Sequence, residues 1–251
     1  MRALYFHILL AIVSLSVFAQ EETKTVPKIK KILPVVSFRL AGFIPKNTAS
    51  EAFCMSFTGV YDANFSCNVR LFNNFCVGVG YGNSLWNPAD YFKHVKVVAT
   101  STAVGQSAYG LGTKMQVHQG YVRLGYDHFA TEKIFWSFSL NSGYGFNQYT
   151  DVRCADSLVG KLPTSFIAFF IRPEVAVNFL VDENFAFGIH LAYNHNFYTY
   201  DPSLNCFDNY ADKGVSGQSI KYGDATYENK TNIGWFSFGF GFYYGFKKKK
   251  A

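Results

Sequence analysis

The sequence is poor in charged residues and, beyond residue 19, lacks an apolar run that could cross a membrane as a helix. Charged residues make up 16% of the 251 residues, against 27 Phe, 17 Tyr and 3 Trp, and disordered chains have the opposite balance. The best helical candidate, residues 166–181, is interrupted by Arg172, Pro173 and Glu174, which excludes it as a membrane span. Many rings without long apolar runs favour alternating β-strands.

Residues 1–19 have the pattern of a secretory signal peptide. A mostly apolar run covers residues 3–17, and residues 17–19, Val-Phe-Ala, form a small-residue cleavage pattern. A single membrane anchor is the alternative, but the run is short and a polar segment follows it. We expect export through the Sec pathway, cleavage before Gln20 and no lipid anchor, because no Cys follows the cleavage site.

The last part of the chain, residues 231–246, alternates between aromatic rings and small side chains such as Ser237, Gly239 and Gly241. A strand places such an alternation on two separate faces, whereas a helix would scatter the rings. Hydrocarbon accepts a face of rings directly, and the small face fits a narrow barrel interior. The pattern predicts a transmembrane β-barrel strand. Its lipid-facing residues are Phe236, Phe238, Phe240, Phe242, Tyr244 and Phe246.

Seven further segments alternate in the same way and complete an eight-stranded barrel. The connections between them are alternately long and short, beginning with a loop at residues 45–48 and including a long loop at 87–115. Outer-membrane barrels have this rhythm, with short periplasmic turns and long extracellular loops. The seven predicted strands are residues 33–42, 55–71, 75–86, 116–128, 134–148, 165–181 and 185–199.

Five side chains give this assignment more detail. In the second strand, strict alternation places Phe57 on the lipid side. Trp86 and Trp235 are expected at the outer membrane interface and Trp136 at the inner one, because indole rings favour that level. Pro173 removes a ladder hydrogen bond from the sixth strand, so we expect a bulge there or a position beyond the bilayer.

On this architecture, residues 32–246 resemble the small eight-stranded outer-membrane barrels of the OmpA/OmpX and PorT-like kind. The run from Phe236 to Phe246 looks like the terminal strand that barrel-assembly machinery recognises, and residues 247–251 extend past the usual terminal aromatic residue. The resemblance implies an all-β, antiparallel, up-and-down transmembrane barrel in the bacterial outer membrane. The resemblance to PorT-like barrels implies a part in a secretion apparatus.

The chain carries a formal charge of +6, but the predicted barrel does not share it. Residues 32–246 contain 14 Lys and Arg against 15 Asp and Glu, which argues against a nucleic-acid partner. The basic excess lies in two tails, residues 20–31 and 247–251. Either the tails are solvated, or their lysines meet anionic phospholipid headgroups on the periplasmic side.

The inner faces of the predicted strands carry seven charged side chains of nearly balanced sign. Eight strands enclose a space that side chains fill, which argues against a diffusion pore. Two interpretations stay open: a proton or ion path, or a structural plug of paired charges, which the expense of burying unpaired charge favours. The seven residues are Arg39, Asp62, Arg70, Arg123, Asp127, Arg172 and Glu174.

The sequence has no constellation of nucleophile, base and orienting residue, so we expect no catalytic residues. Some small barrels are lipid A deacylases or palmitoyltransferases with a Ser and a His near the outer leaflet, but no His here begins a His-x-Ser pattern. His195 faces outward by parity and His190 inward, and both fit packing roles. No spacing of Cys and His resembles a zinc site, and we expect no metal and no cofactor.

The predicted extracellular loops hold the remaining candidates. Cys154 and Cys206 lie in neighbouring loops of an oxidising compartment, where a disulfide can join them, whereas Cys67 and Cys76 face opposite sides and should not pair. Aromatic residues ringed by Asp, Asn and Gly suggest a binding surface, or a cover for the barrel mouth. These residues are Tyr91, Tyr109, Phe207, Tyr210, Tyr222 and Tyr227.

Three functions stay open. The first is a structural or interaction protein, monomeric or part of an envelope complex, that contacts outer-membrane lipids, lipopolysaccharide and a protein partner through its loops or tails. The second is an outer-membrane lipid-modifying enzyme. The third is a soluble secreted ligand-binding barrel, whose rings would face inward. We predict the first, because it accounts for outward rings without a catalytic constellation.

Overall fold

The structure of the protein is a computed structural model. It describes residues 34–71, 74–89, 96–99, 107–110, 113–150, 165–200 and 232–246. The predicted signal peptide and both basic tails lie outside these residues. The elements are β1 Val36–Ala49, α1 Glu51–Ser56, β2 Phe57–Arg70, β3 Phe75–Pro88, β4 Lys96–Ala99, β5 Ser107–Gly110, β6 Lys114–Phe129, β7 Ile134–Thr150, β8 Ser165–Leu180, β9 Phe185–Thr199 and β10 Asn232–Phe246.

Eight long strands close into one antiparallel barrel in the order β1-β10-β9-β8-β7-β6-β3-β2. The ring closes where β1 meets β10, with Val36 opposite Phe246 and, further along, Lys46 opposite Phe236. Each of these eight described strands is therefore paired on both sides, as a strand in hydrocarbon must be. The predicted eight-stranded up-and-down barrel is confirmed.

The two ends of the barrel differ in the length of their connections. At the short-turn end, four residues each join β2 to β3, β6 to β7 and β8 to β9. Polar side chains close two of these turns: Thr131 Oγ1 accepts hydrogen bonds from the backbone N–H groups of Lys133 and Ile134, and Asp182 Oδ1 accepts two more. The other end is called the long-loop end.

The first predicted loop is wrong, because residues 45–48 belong to β1. Pro45 is buried and lies opposite Ser237 of β10, and its fixed φ suits extended backbone. Lys46 and Thr48 alternate with it on the exposed outer face. The outer face of β1 turns polar at the long-loop end, which makes this part of the strand look like a loop in the sequence.

The connection from β1 to β2 is the six-residue helix α1. Ser50 begins it as the N-cap, with its Oγ accepting a hydrogen bond from the backbone N–H of Phe53 at 3.4 Å. Within the described part of the chain, no helix combines the length and the apolar character that a membrane span needs.

The predicted outward position of Phe57 is also wrong. Phe57 is fully buried and Thr58 is exposed, because the pairing of β2 with β3 shifts between Gly59 and Tyr61. The extra residue of a bulge reverses which side chains face inward. From Tyr61 onward the alternation follows the prediction.

The predicted loop at residues 87–115 contains two short strands. β4 and β5 pair as an antiparallel two-stranded sheet, with Val97 opposite Tyr109 and Val98 opposite Ala108. Four residues per strand are too few for a periodicity signal to be recognised in the sequence.

No bulge marks Pro173, so the first of the two predicted alternatives, a bulge, is wrong. The ladder between β8 and β9 has the same register before and after it: Ile171 lies opposite His195, and Glu174 opposite Ala192. Only the pairs at Arg172 and Pro173 are missing from that ladder, while Pro173 keeps its place opposite Leu140 of β7. The barrel accepts the proline by omitting pairs on one side.

Candidate functional site

The outer face of the barrel is an apolar belt. Leu40, Val79, Leu124, Ile167 and Leu191 come from five strands, and each is more than half exposed. Water-soluble proteins do not expose apolar surface on this scale, whereas hydrocarbon accepts it. On β10 the structure places the six predicted lipid-facing rings in this belt, with 45% to 63% of each exposed. Belt and closed ladder together identify an outer-membrane β-barrel.

Asp62 lies at the middle of the bore, where it is the centre of the first half of a group of buried polar side chains that we call the mid-bore cluster. Its Oδ2 lies 2.6 Å from Nη1 of Arg172, and both side chains are fully buried. Ser237 Oγ donates to Oδ2 at 2.7 Å and Ser84 Oγ donates to Oδ1 at 3.1 Å. Asn64 Nδ2 donates to Oδ1 at 3.1 Å. The carboxylate thus joins four strands, β2, β3, β8 and β10.

Glu174 forms the second half of this mid-bore cluster. Its Oε1 lies 3.0 Å from Nδ1 of His190, and its Oε2 lies 3.6 Å from Nη1 of Arg123. Asn141 Nδ2 also donates to Oε2 at 3.4 Å. Arg172 Nε lies 4.0 Å from Oε2, so Arg172 links Glu174 to Asp62.

A separate turn-end cluster lies towards the short turns. Asp127 accepts hydrogen bonds from Nη2 of Arg39 at 2.8 and 2.9 Å and from Nη2 of Arg70 at 2.7 Å. Ser137 Oγ donates to Asp127 at 2.6 Å. The Arg39 guanidinium also lies over the ring of Tyr243, 5.2 Å from its centroid. All seven predicted charged residues therefore lie in the two clusters.

Apolar and amide side chains fill the bore on either side of the charges. At the short-turn end Phe135, Leu180, Ala186 and Tyr243 pack together. Between the mid-bore cluster and the long-loop end, an amide layer forms in which Asn194 donates to Gln119 and Asn196 donates to Asn194, both at 3.0 Å. Sequence reasoning assigned no role to these amides, although their inward parity and polarity are visible in it.

An aromatic plug closes the bore at the long-loop end. Trp86 and Trp235 meet edge to face with ring centroids 5.0 Å apart, and both are fully buried. Their predicted position at the membrane interface is therefore wrong, since their parity turns both rings inward. Trp136 faces outward and is 39% exposed. The plug comprises Ala52, Phe53, Phe57, Trp86, Met115, Val117, Tyr149, Tyr200, Ile233 and Trp235.

The packing of side chains in the bore favours a rigid barrel interior. Paired charges, bonded amides and packed rings follow one another along the bore, and breaking any of the buried ion pairs would cost about 3 to 5 kcal/mol. Within the described ranges, no group of His, Cys, Asp and Glu could hold a metal ion. His190 is the one histidine in the mid-bore cluster, and His128 and His195 lie on the outer face.

Several predicted site residues fall outside what the structure describes. Cys154 and Cys206 are among them, as are the loop residues Tyr91, Phe207, Tyr210, Tyr222 and Tyr227. Tyr109 is described only as a backbone position of β5. Cys67 and Cys76 carry free thiols.

No protein-family model matches the sequence, and neither does a curated protein. Among solved structures, the chain is similar to Neisserial surface protein A, with 10% identity, a TM-score of 0.45, and coverage of 84% of this chain and 97% of that one. It is similar to the Yersinia pestis attachment invasion locus protein Ail in complex with the heparin analogue sucrose octasulfate, with 8% identity, a TM-score of 0.40 and coverage of 85% and 100%. It is also similar to OprG from Pseudomonas aeruginosa, with 11% identity, a TM-score of 0.42, and coverage of 86% of this chain and 99% of that one. At these values the similarity carries no information about function.

Proposed function

We propose that this protein is an outer-membrane barrel that holds extracellular loops at the bacterial surface, where they bind a partner, and that it has no enzymatic activity. A predicted signal peptide at residues 1–19 delivers it to the Sec pathway. The resemblance to PorT-like barrels favours a partner from a secretion apparatus.

The filled bore is the observation that carries the proposal. The turn-end cluster, the mid-bore cluster, the amide layer and the aromatic plug occupy successive levels of the barrel, and their side chains contact one another rather than lining a channel. A barrel of eight strands has room for packed side chains but not for an aqueous pore as well. A role in diffusion across the membrane is therefore disfavoured.

The placement of the connections supports a binding role. Among the connections, all the long ones leave from the same end, and the one between β3 and β6 contains the β4–β5 sheet. Loops that a rigid scaffold positions at one face are the usual location of binding residues. The aromatic candidates of the sequence belong to these connections.

Site-specific photocrosslinking in intact cells tests the proposal. Benzoylphenylalanine is introduced at Tyr109 or Tyr210 in the loops, and at Phe240 in the belt as the matched control. We expect a protein adduct of defined mass from the loop positions and none from Phe240. Absence of an adduct at both loop positions would contradict a loop-bound protein partner, and an adduct at Phe240 alone would move the partner into the membrane plane.

A further inference from the structure

A hydrogen-bonded group of polar side chains lies on the outer face of β2, β3 and β6. Tyr61 Oη donates to Asn83 Oδ1 at 2.6 Å, Asn83 Nδ2 lies 3.2 Å from Nδ1 of His118, and Tyr81 Oη lies 2.5 Å from the same Nδ1. We call Tyr61, Tyr81, Asn83 and His118 the boundary cluster. The two tyrosines are exposed, so the cluster faces the surroundings of the barrel.

The contacts determine which ring nitrogen of His118 carries the proton. Asn83 Oδ1 accepts from Tyr61, so the other amide atom of Asn83 is the NH₂ group, which can only donate. It shares Nδ1 of His118 with the Tyr81 hydroxyl, and this nitrogen must therefore be the acceptor. The neutral imidazole then carries its proton on Nε2. Among the described residues nothing accepts a hydrogen bond from this Nε2–H group.

The boundary cluster lies where the apolar belt ends. His118 is eleven residues from Phe129, the end of β6 at the short turns. At about 3.3 Å per residue and a strand tilt of about 40°, this corresponds to roughly 28 Å, close to the height of about 25 Å of an outer-membrane apolar band. Below His118 on the same face lie Val122 and Leu124, and above it lie Gln116 and Lys114. The cluster is thus level with the headgroups of the outer leaflet.

The two charged side chains that the structure describes on the outer face near this level are both lysines. Lys114 shares the outer face of β6 with His118, and Lys46 is exposed on the outer face of β1. On the outward faces of the described barrel strands there is no Asp or Glu, since Asp62, Asp127 and Glu174 all face the bore. Among the side chains whose exposure the structure describes, the exposed acidic ones are at the opposite end, in the short turns, and they are Glu132, Asp182 and Glu183.

We propose that the boundary cluster, together with Lys46 and Lys114, binds the phosphorylated headgroup of an outer-leaflet glycolipid. The lysine ammonium groups meet the phosphates, and the Nε2–H group of His118 donates to a sugar or acyl-ester oxygen. Tyr81 directly, and Tyr61 through Asn83, hold the imidazole in the donating tautomer. The acyl chains continue along the apolar belt below. This site is separate from the loops and does not depend on the partner that they bind.

Native mass spectrometry of the full protein in zwitterionic detergent tests the site, with bis-phosphorylated lipid A as the probe. We expect wild-type protein to retain it, and the Lys46→Gln/Lys114→Gln variant to bind about thirtyfold more weakly, because each lysine near an anionic surface contributes about fivefold. His118→Phe removes one hydrogen bond and should weaken binding about fivefold. The matched controls Lys133→Gln and His128→Phe, at the short-turn end, should bind like wild type.

Two further probes separate this site from other lipid binding. Lipid A without phosphates should bind far more weakly to wild type. Phosphatidylglycerol carries a single phosphate, so its binding should weaken less than that of lipid A when both lysines are replaced. Equal lipid A affinity for wild type, the double lysine variant and His118→Phe would overturn the proposal. So would equal binding of lipid A with and without phosphates. None of the substituted side chains faces the bore, and heat-modified electrophoretic mobility checks that each variant is folded.

Discussion

At the scale of single residues, the bore shows how one carboxylate stabilises two buried cations. Asp127 contacts Arg39 and Arg70, which come from β1 and β2, and its own strand β6 lies beyond β3 from them. Desolvation of the three charges is unfavourable, and their mutual attraction with the Ser137 hydrogen bond offsets it. The turn-end cluster therefore joins β6 to β1 and β2, neither of which pairs with it in the sheet.

Asp127→Asn tests this contribution. The variant leaves two buried guanidinium groups facing each other without a counter-charge, so we expect the free energy of unfolding to fall by about 3 to 5 kcal/mol. Urea titration of the protein in phospholipid vesicles, followed by tryptophan fluorescence, measures it. Glu132→Gln in an exposed turn is the control and should change stability by less than about 0.5 kcal/mol. A matching loss in both variants would show that the cluster adds no stability of its own.

At the scale of elements, the closure of the barrel depends on close backbone contact between β1 and β10. A Cβ atom added to Gly239 would lie 1.9 Å from the carbonyl oxygen of Gly42, whereas one added to Gly42 would meet nothing within 4 Å. The two glycines therefore differ in their tolerance, although they lie in paired strands. Only Gly239 is required by the approach of the neighbouring strand.

Gly239→Ala and Gly42→Ala form a matched pair for this closure. The first forces β1 and β10 apart, and overpacking of this kind is expected to destabilise the barrel by about 1 to 3 kcal/mol. The second should stay within about 0.5 kcal/mol of wild type. The same urea titration measures both. If the two variants unfold at the same urea concentration, the close contact at Gly239 is not needed for stable pairing of β1 with β10.

At the scale of the whole molecule, the three tryptophans report on the two sides of the barrel wall. Trp136 is exposed on the outer face near the short-turn end, while Trp86 and Trp235 are fully buried in the aromatic plug. Only an outward ring can reach the acyl chains of surrounding lipid. The quenching of tryptophan fluorescence by lipid can therefore show which face of the barrel wall the belt lies on.

Brominated phospholipids provide the measurement, because they quench a tryptophan that they contact. In vesicles of these lipids we expect the Trp86→Phe/Trp235→Phe variant, which retains Trp136, to lose most of its emission. The Trp136→Phe variant should keep most of its emission, since the protein wall shields the plug. Strong quenching of Trp136→Phe together with weak quenching of the other variant would mean that the barrel is turned inside out relative to the structure.

Local alternation was enough to predict the strands and the orientation of most side chains, since a period of two is visible within a few residues of β9 or β10. It could not reveal the bulge at Gly59, because one inserted residue changes parity without changing composition. Local alternation also could not predict which charged side chains pair with each other in the bore. Arg39 and Asp127 are 88 residues apart, and Asp62 and Arg172 are 110 residues apart, so their contacts depend on the register of strands distant in sequence.

The pairing of β1 with β10 has a consequence for biogenesis. The seam joins the earliest barrel strand to be synthesised with the latest, so a nascent chain that still lacks residues 232–246 exposes an unsatisfied edge on β1 and another on β9. Such edges recruit other strands. The barrel can therefore close only after residues 232–246 have been synthesised, and pairing at this seam is the step that completes it.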